Sequence, residues 1–405
     1  MTEPVTEPVD PPGPAAVAAA SRPSLITVLR EWGRIGCTGF GGPPTHIKML
    51  RDLCVDRRGW LDAAEFEDAV AACNLLPGPA STELAIFCAW RVRGRPGALI
   101  GGAAFILPGL IVILALAALF LEGTPPVWVL GAGAGAGAAV AAVAVQAAWS
   151  LTPASWGRAR EHGSAWRWLA YLAAGAAAAA TIGPWLVLVL LGCGVTEAAI
   201  RRPRWRLPTG THGFMAAPLA VGGAIGGGVL LSVAWVAFKV GALSFGGGFV
   251  IIPLMQSDAV SHYHWMTGAQ FLNAVALGQI TPGPVVQTVA VVGYAAAGIP
   301  GGLLASAVAF TPSFAFILLG AGRFDRLRGN QQARAFLDGA GPAAIGAILG
   351  AAVDLARALT QPWQYAVLAA AAILLLGLRR GVVLTLLAAA ATGVLVALAG
   401  GQLPP

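Results

Sequence analysis

The sequence predicts an all-α polytopic membrane protein made of two inverted homologous halves. Each half has about five spanning helices plus one Pro-Gly-Pro re-entrant or broken helix. Three observations predict this. First, 57% of the 405 residues are hydrophobic, 11% are charged, and the mean hydropathy is +0.75, more apolar surface than a soluble domain can bury. Second, one signature occurs twice. Phe40-Gly41-Gly42-Pro43 leads to Asn74-Leu75-Leu76-Pro77-Gly78-Pro79, and Phe245-Gly246-Gly247-Gly248 leads to Gln279-Ile280-Thr281-Pro282-Gly283-Pro284. Third, the spacing is kept: Trp60 and Trp265, Phe66 and Phe271, and Pro77 and Pro282 each lie 205 positions apart. A duplicated membrane unit with Gly/Pro-interrupted apolar segments at matching places marks a transporter with its site between the halves.

Along the chain, residues 1–23 are rich in Pro, Ala and Glu and are expected to form a disordered tail; they lack the basic start and apolar core of a cleavable leader. A spanning helix needs about 20 apolar residues. In the first half, 24–200, the candidates are 24–45, 98–121, 127–149, 166–182 and 184–200. The segment 24–45 carries Arg30, Glu31 and Arg34 and is read as a span facing the protein interior. Residues 201–215 form a basic cytoplasmic linker with Arg201, Arg202, Arg204 and Arg206. In the second half, 216–405, the candidates are 216–243, 301–321, 336–359, 363–378 and 381–399.

Loop charges give the orientation. Arg91, Arg93 and Arg95 follow the first Pro-Gly-Pro segment, whereas residues 295–300 after the second are uncharged. The next loops reverse the contrast: 121–124 contains Glu122, while 323–328 contains Arg323, Arg326 and Arg328. If basic loops face the cytoplasm, the halves are inverted. Residues 63–90 are long enough to cross once, yet Lys48, Arg51, Arg57 and Arg58 precede them and Arg91, Arg93 and Arg95 follow. A hairpin turning at Pro77-Gly78-Pro79 places both clusters on one side; a single Pro-kinked span is the alternative.

Chemistry is expected at the breaks. Two prolines around a glycine interrupt a helix and free backbone groups that must be buried in protein or wetted. The restarted helices at Ser81-Thr82 and Gln287-Thr288 present positive N-terminal ends suited to an anion. Asn74 and Gln279 are amides just before each break, and Thr281 lies within the second. The expected substrate-binding set therefore runs through Phe40–Pro43, Asn74, Pro77, Gly78, Pro79, Ser81, Thr82, Phe245, Gly246, Gly247, Gly248, Gln279, Thr281, Pro282, Gly283, Pro284, Gln287 and Thr288. Arg34 and Lys239, also 205 apart, are a candidate cation pair for an anion; snorkelling or pairing with a carboxylate, such as Glu31 with Arg34, is the alternative. Glu83, His46, Asp338 and Asp354 are candidate proton carriers.

Other classes are excluded or left without support. The net charge of +7 sits in short loops and reads as topology, not nucleic-acid binding. Cys37, Cys54, Cys73, Cys88 and Cys193 form no C-x-x-C pair and read as small apolar residues. His262 and His264 have no third ligand at suitable spacing, so no metal is expected. The sequence has neither a nucleotide-binding fingerprint nor a nucleophile–base constellation, so neither cofactor nor enzyme activity is expected, and pumping would draw on ion or voltage gradients.

These residues resemble a known family. Phe40-Gly41-Gly42-Pro43 with His46, Arg57-Arg58 before Trp60, Asn74 through Pro79 into Ser81-Thr82-Glu83, and Phe105-Ile106-Leu107-Pro108 resemble the first half of chromate transporters. Gly278 through Pro284, Gly293-Tyr294 and Pro312-Ser313-Phe314 resemble the second. The resemblance covers Leu25 to the end. It implies a multi-pass protein of the bacterial inner membrane, of the long two-half type, that exports chromate as a sulfate-like dianion and confers resistance. An importer or exchanger of sulfate or another oxyanion, or an anion channel, are the competing readings. The expected partners are the oxyanion and the lipid bilayer, and a homodimer is compatible with the sequence.

Overall fold

The computed structural model describes residues 23–74, 76, 78–121, 125–181, 186–201, 228–244, 251–320 and 330–404. The tail 1–22, Pro77, most of the linker, Phe245 through Gly248 and the charged loops at 122–124 and 321–329 lie outside the described residues.

The described residues form fourteen α-helices and no strand. The first half contains α1 (Leu25–Thr38), α2 (Pro43–Arg51), α3 (Ala63–Cys73), α4 (Ala80–Leu121), α5 (Val127–Glu161), α6 (Ala165–Thr181) and α7 (Leu186–Ile200). The second contains α8 (Val229–Ala242), α9 (Ile251–Gln256), α10 (Gly268–Ile280), α11 (Thr288–Gly320), α12 (Gln331–Arg357), α13 (Pro362–Ala372) and α14 (Val382–Leu398). Local chemistry sets several starts. Ser24 caps α1, Asp62 caps α3, Thr267 and Gln270 form a capping box on α10, and Asn330 accepts from two amides at the start of α12.

The duplication extends to irregular backbone. α2 continues as a π-helical turn at Asp52–Arg57 and α9 as another at Ser257–His262, again 205 positions apart. α4 kinks at Arg93–Gly94, and α11 at Ala297–Gly298, with Gly94 at φ +65° and Gly298 at φ +63°. Those kinks are 204 apart, so the second half is one residue shorter between break and kink. A 3₁₀ turn at Val285–Gln287 accounts for the difference. Three residues at about 2.0 Å rise cover about the same 6 Å as four at about 1.5 Å in an α-helix.

The helices flanking the first Pro-Gly-Pro segment, α3 and the start of α4, form a hairpin. α3, of 11 residues, spans about 16 Å, and the part of α4 before its kink about 20 Å, each short of the roughly 30 Å of a bilayer core. Glu65, at the start of α3, pairs with Arg91, just before the α4 kink, so the chain leaves on the side where it came in.

Among the described residues, four helical stretches are long and apolar enough to cross a membrane: α4, α5, α11 with its 3₁₀ turn, and α12. α7, α8, α13 with its π-helical extension, and α14 are apolar but shorter than 18 residues. The expected span 24–45 ends at Thr38, because Gly39–Gly42 interrupts the helix. In contrast, 127–149 grows into a 35-residue helix.

α1 packs on α4 and α8 on α11, and α4 and α11 pack on each other. Equivalent glycines seat the outer helices: Gly36 lies against the Phe105 carbonyl and Gly241 against that of Ala309. The remaining helices are exchanged between halves. α5 packs on α13 and α14, whereas α12 packs on α6 and α7. Gly131 and Gly135 let α5 lie backbone to backbone on Gly393 and Ala389, and Gly346 does the same for α12 on Leu172. α5 and α12 also touch and run antiparallel. Arg158 and His162 near the end of α5 share a cavity with Gln331 and Arg334 at the start of α12, and Leu130 shares another with Ala358. Equivalent helices pointing in opposite directions make the halves an inverted pair.

Candidate functional site

The two breaks meet at the α4–α11 contact. Gly283, at φ +94°, adopts a backbone that favours glycine, and its amide donates to the Gly39 carbonyl at 3.1 Å. The Pro282 carbonyl lies so close to Gly109 that a methyl there would collide with it. Gln287 Nε2 donates to the Ile106 carbonyl at 2.5 Å. The second break thus rests on α1 and α4 of the first half. The reciprocal contact is present too: a methyl on Gly78 would lie 3.2 Å from Ser313 Oγ on α11. Gly109 and Ser313 are 204 positions apart, each directly after a duplicated proline, Pro108 or Pro312.

The Phe40-Gly41-Gly42-Pro43 loop belongs to this junction. Gly41 and Gly42 have φ +100° and +75°, Pro43 starts α2, and Gly42 faces Val285 of the second half. Phe40 itself is exposed. His46 is fully buried. Its Nε2 lies 2.9 Å from the Gly39 carbonyl, its Nδ1 3.3 Å from Ser81 Oγ, and its ring meets Phe105 edge-on. With Nε2–H donating to Gly39, Nδ1 accepts from Ser81, and a neutral imidazole has both nitrogens satisfied.

Around this junction lie buried polar atoms without a hydrogen-bond partner: Thr82 Oγ1, both carboxylate oxygens of Glu83, Gln279 Nε2, Gln287 Oε1 and Ser313 Oγ. Burying such groups unpaired costs about 1–3 kcal/mol each, more for a charge. Glu83 Oε1 packs directly over Gly78. The set comes from both halves and flanks both breaks, the arrangement expected where a small polar solute is bound.

Other expected site residues have local partners. Thr281 and Thr288 hydroxyls donate to Leu277 and Val285 carbonyls. Arg34 and Lys239, expected as free cations for an anion, are each engaged by a carboxylate of their own half. Arg34 is exposed and pairs with Glu31 at 3.2 Å, which also takes Arg58 at 2.6 Å. Lys239 pairs with Asp258 at 2.6 Å, both nearly buried. The proton-carrier candidates Asp338 and Asp354 are paired as well. Asp338 accepts from Arg158 and Arg201, both at 2.8 Å, and Asp354 pairs with Arg357 at 3.4 Å. Asn74, at the end of α3, is exposed in a cavity of about 980 Å³. Among the described residues, no group of His, Cys, Asp and Glu could hold a metal ion.

The profile of the chromate transporter family matches residues 26–197 and 231–394. The chain belongs to the chromate transporter family. The two matched stretches coincide with the two halves of this transporter. Curated relatives agree. A chromate transport protein of Cupriavidus metallidurans is 33% identical over 87% of this chain and 87% of its own length. One of Pseudomonas aeruginosa is 29% identical over 88% and 84%, and a probable chromate transport protein of Synechococcus elongatus 28% identical over 82% and 85%. No solved structure matches the chain.

Sequence reasoning missed several parts of the transporter's centre. Ser313, Phe105 and Ile106 were visible only as family motifs and Gly109 not at all, although Pro108 and Pro312 repeat at the kink spacing and could have flagged them. Ser244, buried with an unpartnered hydroxyl beside the second glycine run, carried no signal at all.

Proposed function

We propose that this transporter exports chromate, or a closely similar tetrahedral dianion, from the cytoplasm across the bacterial inner membrane. The observation that carries this reading is the cluster of unpartnered polar atoms from both halves around the breaks. Thr82, Gln279 and Ser313 offer neutral donors to oxyanion oxygens, and the interrupted helix ends supply partial positive charge. Neutral donors suit a transporter: they hold a dianion against water yet release it, as fixed cations would not.

The driving force is sufficient without ATP. A dianion leaving a negative cytoplasm gains about 4.6 kcal/mol per 100 mV. That equals roughly three tenfold concentration steps. Among the described residues, Glu83 is the intramembrane acid at the centre with neither oxygen engaged, and we assign it any coupled proton. The family and the curated relatives' names support chromate as the substrate.

The test is chromate flux in proteoliposomes with voltage and pH gradient clamped separately. Saturable flux that follows an inside-negative potential outward is expected. Equal flux of labelled sulfate would broaden the substrate class, obligatory exchange against a second anion would replace export by exchange, and non-saturating conductance would replace the carrier by a channel.

A further inference from the structure

We propose a second anion site, separate from the centre: the cavity of about 980 Å³ at the ends of α5, α7 and α12 captures the oxyanion from the cytoplasm before it reaches the breaks. This deepens the reading above and rests on it for the identity of the anion.

The walls are basic. Arg158 and His162 come from the end of α5, Arg201 from the end of α7, and Arg334 from the first turns of α12. The opposing acids are Glu161 and Asp338, and Asp338 is already shared by Arg158 and Arg201. Arg201 also binds Glu197 at 2.7 Å, which holds Arg167 at 2.8 Å. Arg334 is exposed and has no carboxylate partner among the described residues. The 27-residue α12 points the positive end of its dipole at the cavity. Three arginines against two acids leave the lining one positive charge in excess, and a concave surface with an excess of one sign concentrates counter-ions.

Its position gives it a side and a destination. Arg202, Arg204 and Arg206 directly follow Arg201 in the sequence, and Arg323, Arg326 and Arg328 shortly precede Gln331. Basic loops mark the cytoplasmic face. Asn74 in the lining lies at the end of α3, just before the first Pro-Gly-Pro, so the cavity leads toward the centre. At the other end of the antiparallel α5–α12 pair, a cavity of about 220 Å³ is lined by Thr267, Gln270, Asn273 and Gln364, with no charged side chain among the described residues. The cation-lined end therefore attracts an anion more strongly than the uncharged end, which raises capture from the cytoplasm, while the gradient sets the direction.

Inside-out membrane vesicles containing the full chain present this face to the medium. Arg334→Gln should raise the KM for chromate uptake roughly five- to tenfold at low salt and leave the maximal rate unchanged, with the difference shrinking as ionic strength rises. A second readout needs no transport. In a Cys37→Ser background, Gln332→Cys should react faster with an anionic methanethiosulfonate than with a cationic one, and Arg334→Gln should reduce that preference. Saturable chromate flux with neither KM nor reagent preference responding to Arg334→Gln would overturn the capture site. Charge-selective labelling in a protein that carries no chromate would uphold the capture site for another anion and overturn the substrate reading instead.

Discussion

The Gly283 amide donates to the Gly39 carbonyl, joining the break of one half to the loop that ends α1 in the other. The same oxygen lies 2.9 Å from His46 Nε2, so one carbonyl receives both halves. The link pins the two interrupted helices against each other. Movement at either break must be felt at this oxygen.

Gly283→Ala should therefore impair transport more than its strain alone explains. An alanine at φ +94° costs about 1–2 kcal/mol. Gly59, at φ +56° with open space around it, is the matched control. Gly59→Ala should lose similar thermal stability in detergent but retain flux, while Gly283→Ala should lose roughly tenfold or more, as small misplacements at a site do. Equal flux in the two variants would remove the breaks from the transport site.

Lys239 and Asp258 form a cycle that separates structure from substrate binding. Lys239→Met strands a buried carboxylate and should cost about 3–5 kcal/mol. Adding Asp258→Leu should restore folded protein, read by size-exclusion profile, and with it chromate flux. A double variant that folds but stays inactive would return Lys239 to the substrate.

Glu83→Gln separates the two driving forces. In proteoliposomes with a potassium-clamped potential, flux driven by voltage should persist, and stimulation by a pH gradient should vanish. A pH response that survives the substitution would clear Glu83 of any role in proton coupling.

Glu197 accepts from Arg167, Arg201 and Tyr171, and Arg201 continues to Asp338 in the second half. Glu197→Gln should lower stability by about 3 kcal/mol, visible as a fall in Tm. Combining it with Asp338→Asn should cost less than the two single losses together, because both act through Arg201. Strict additivity would show that the two acids act independently.

What the sequence revealed follows from the range of the forces involved. Pro and Gly act on their own turn of backbone, so the breaks, their repetition and the hairpin could be read from residues such as Pro79 and Pro284. The i,i+3 neighbours Glu31 and Arg34 could be paired on one helix for the same reason. Arg58 joining Glu31, Asp258 claiming Lys239, and Asp338 bridging Arg158 and Arg201 depend on tertiary approach, which no local pattern encodes. The cation pair was legible as a repeat, but Asp258 as the partner of Lys239 and Arg58 as the second partner of Glu31 were not, because Leu53 and Tyr263 occupy the equivalent positions. Helix lengths failed differently: hydropathy runs on through Gly39 and past Trp149, and only backbone geometry shows where the helix stops.

The exchange of helices between halves has a consequence for biogenesis. During synthesis, the glycine face of α5 enters the bilayer long before Gly393 and Ala389 have been translated. Until then the newborn N-terminal portion exposes that surface to lipid or to insertion chaperones. Assembly must therefore wait for the last helix to leave the ribosome. Two separately expressed pieces, split within the linker, should be degraded alone and should rescue one another when made together.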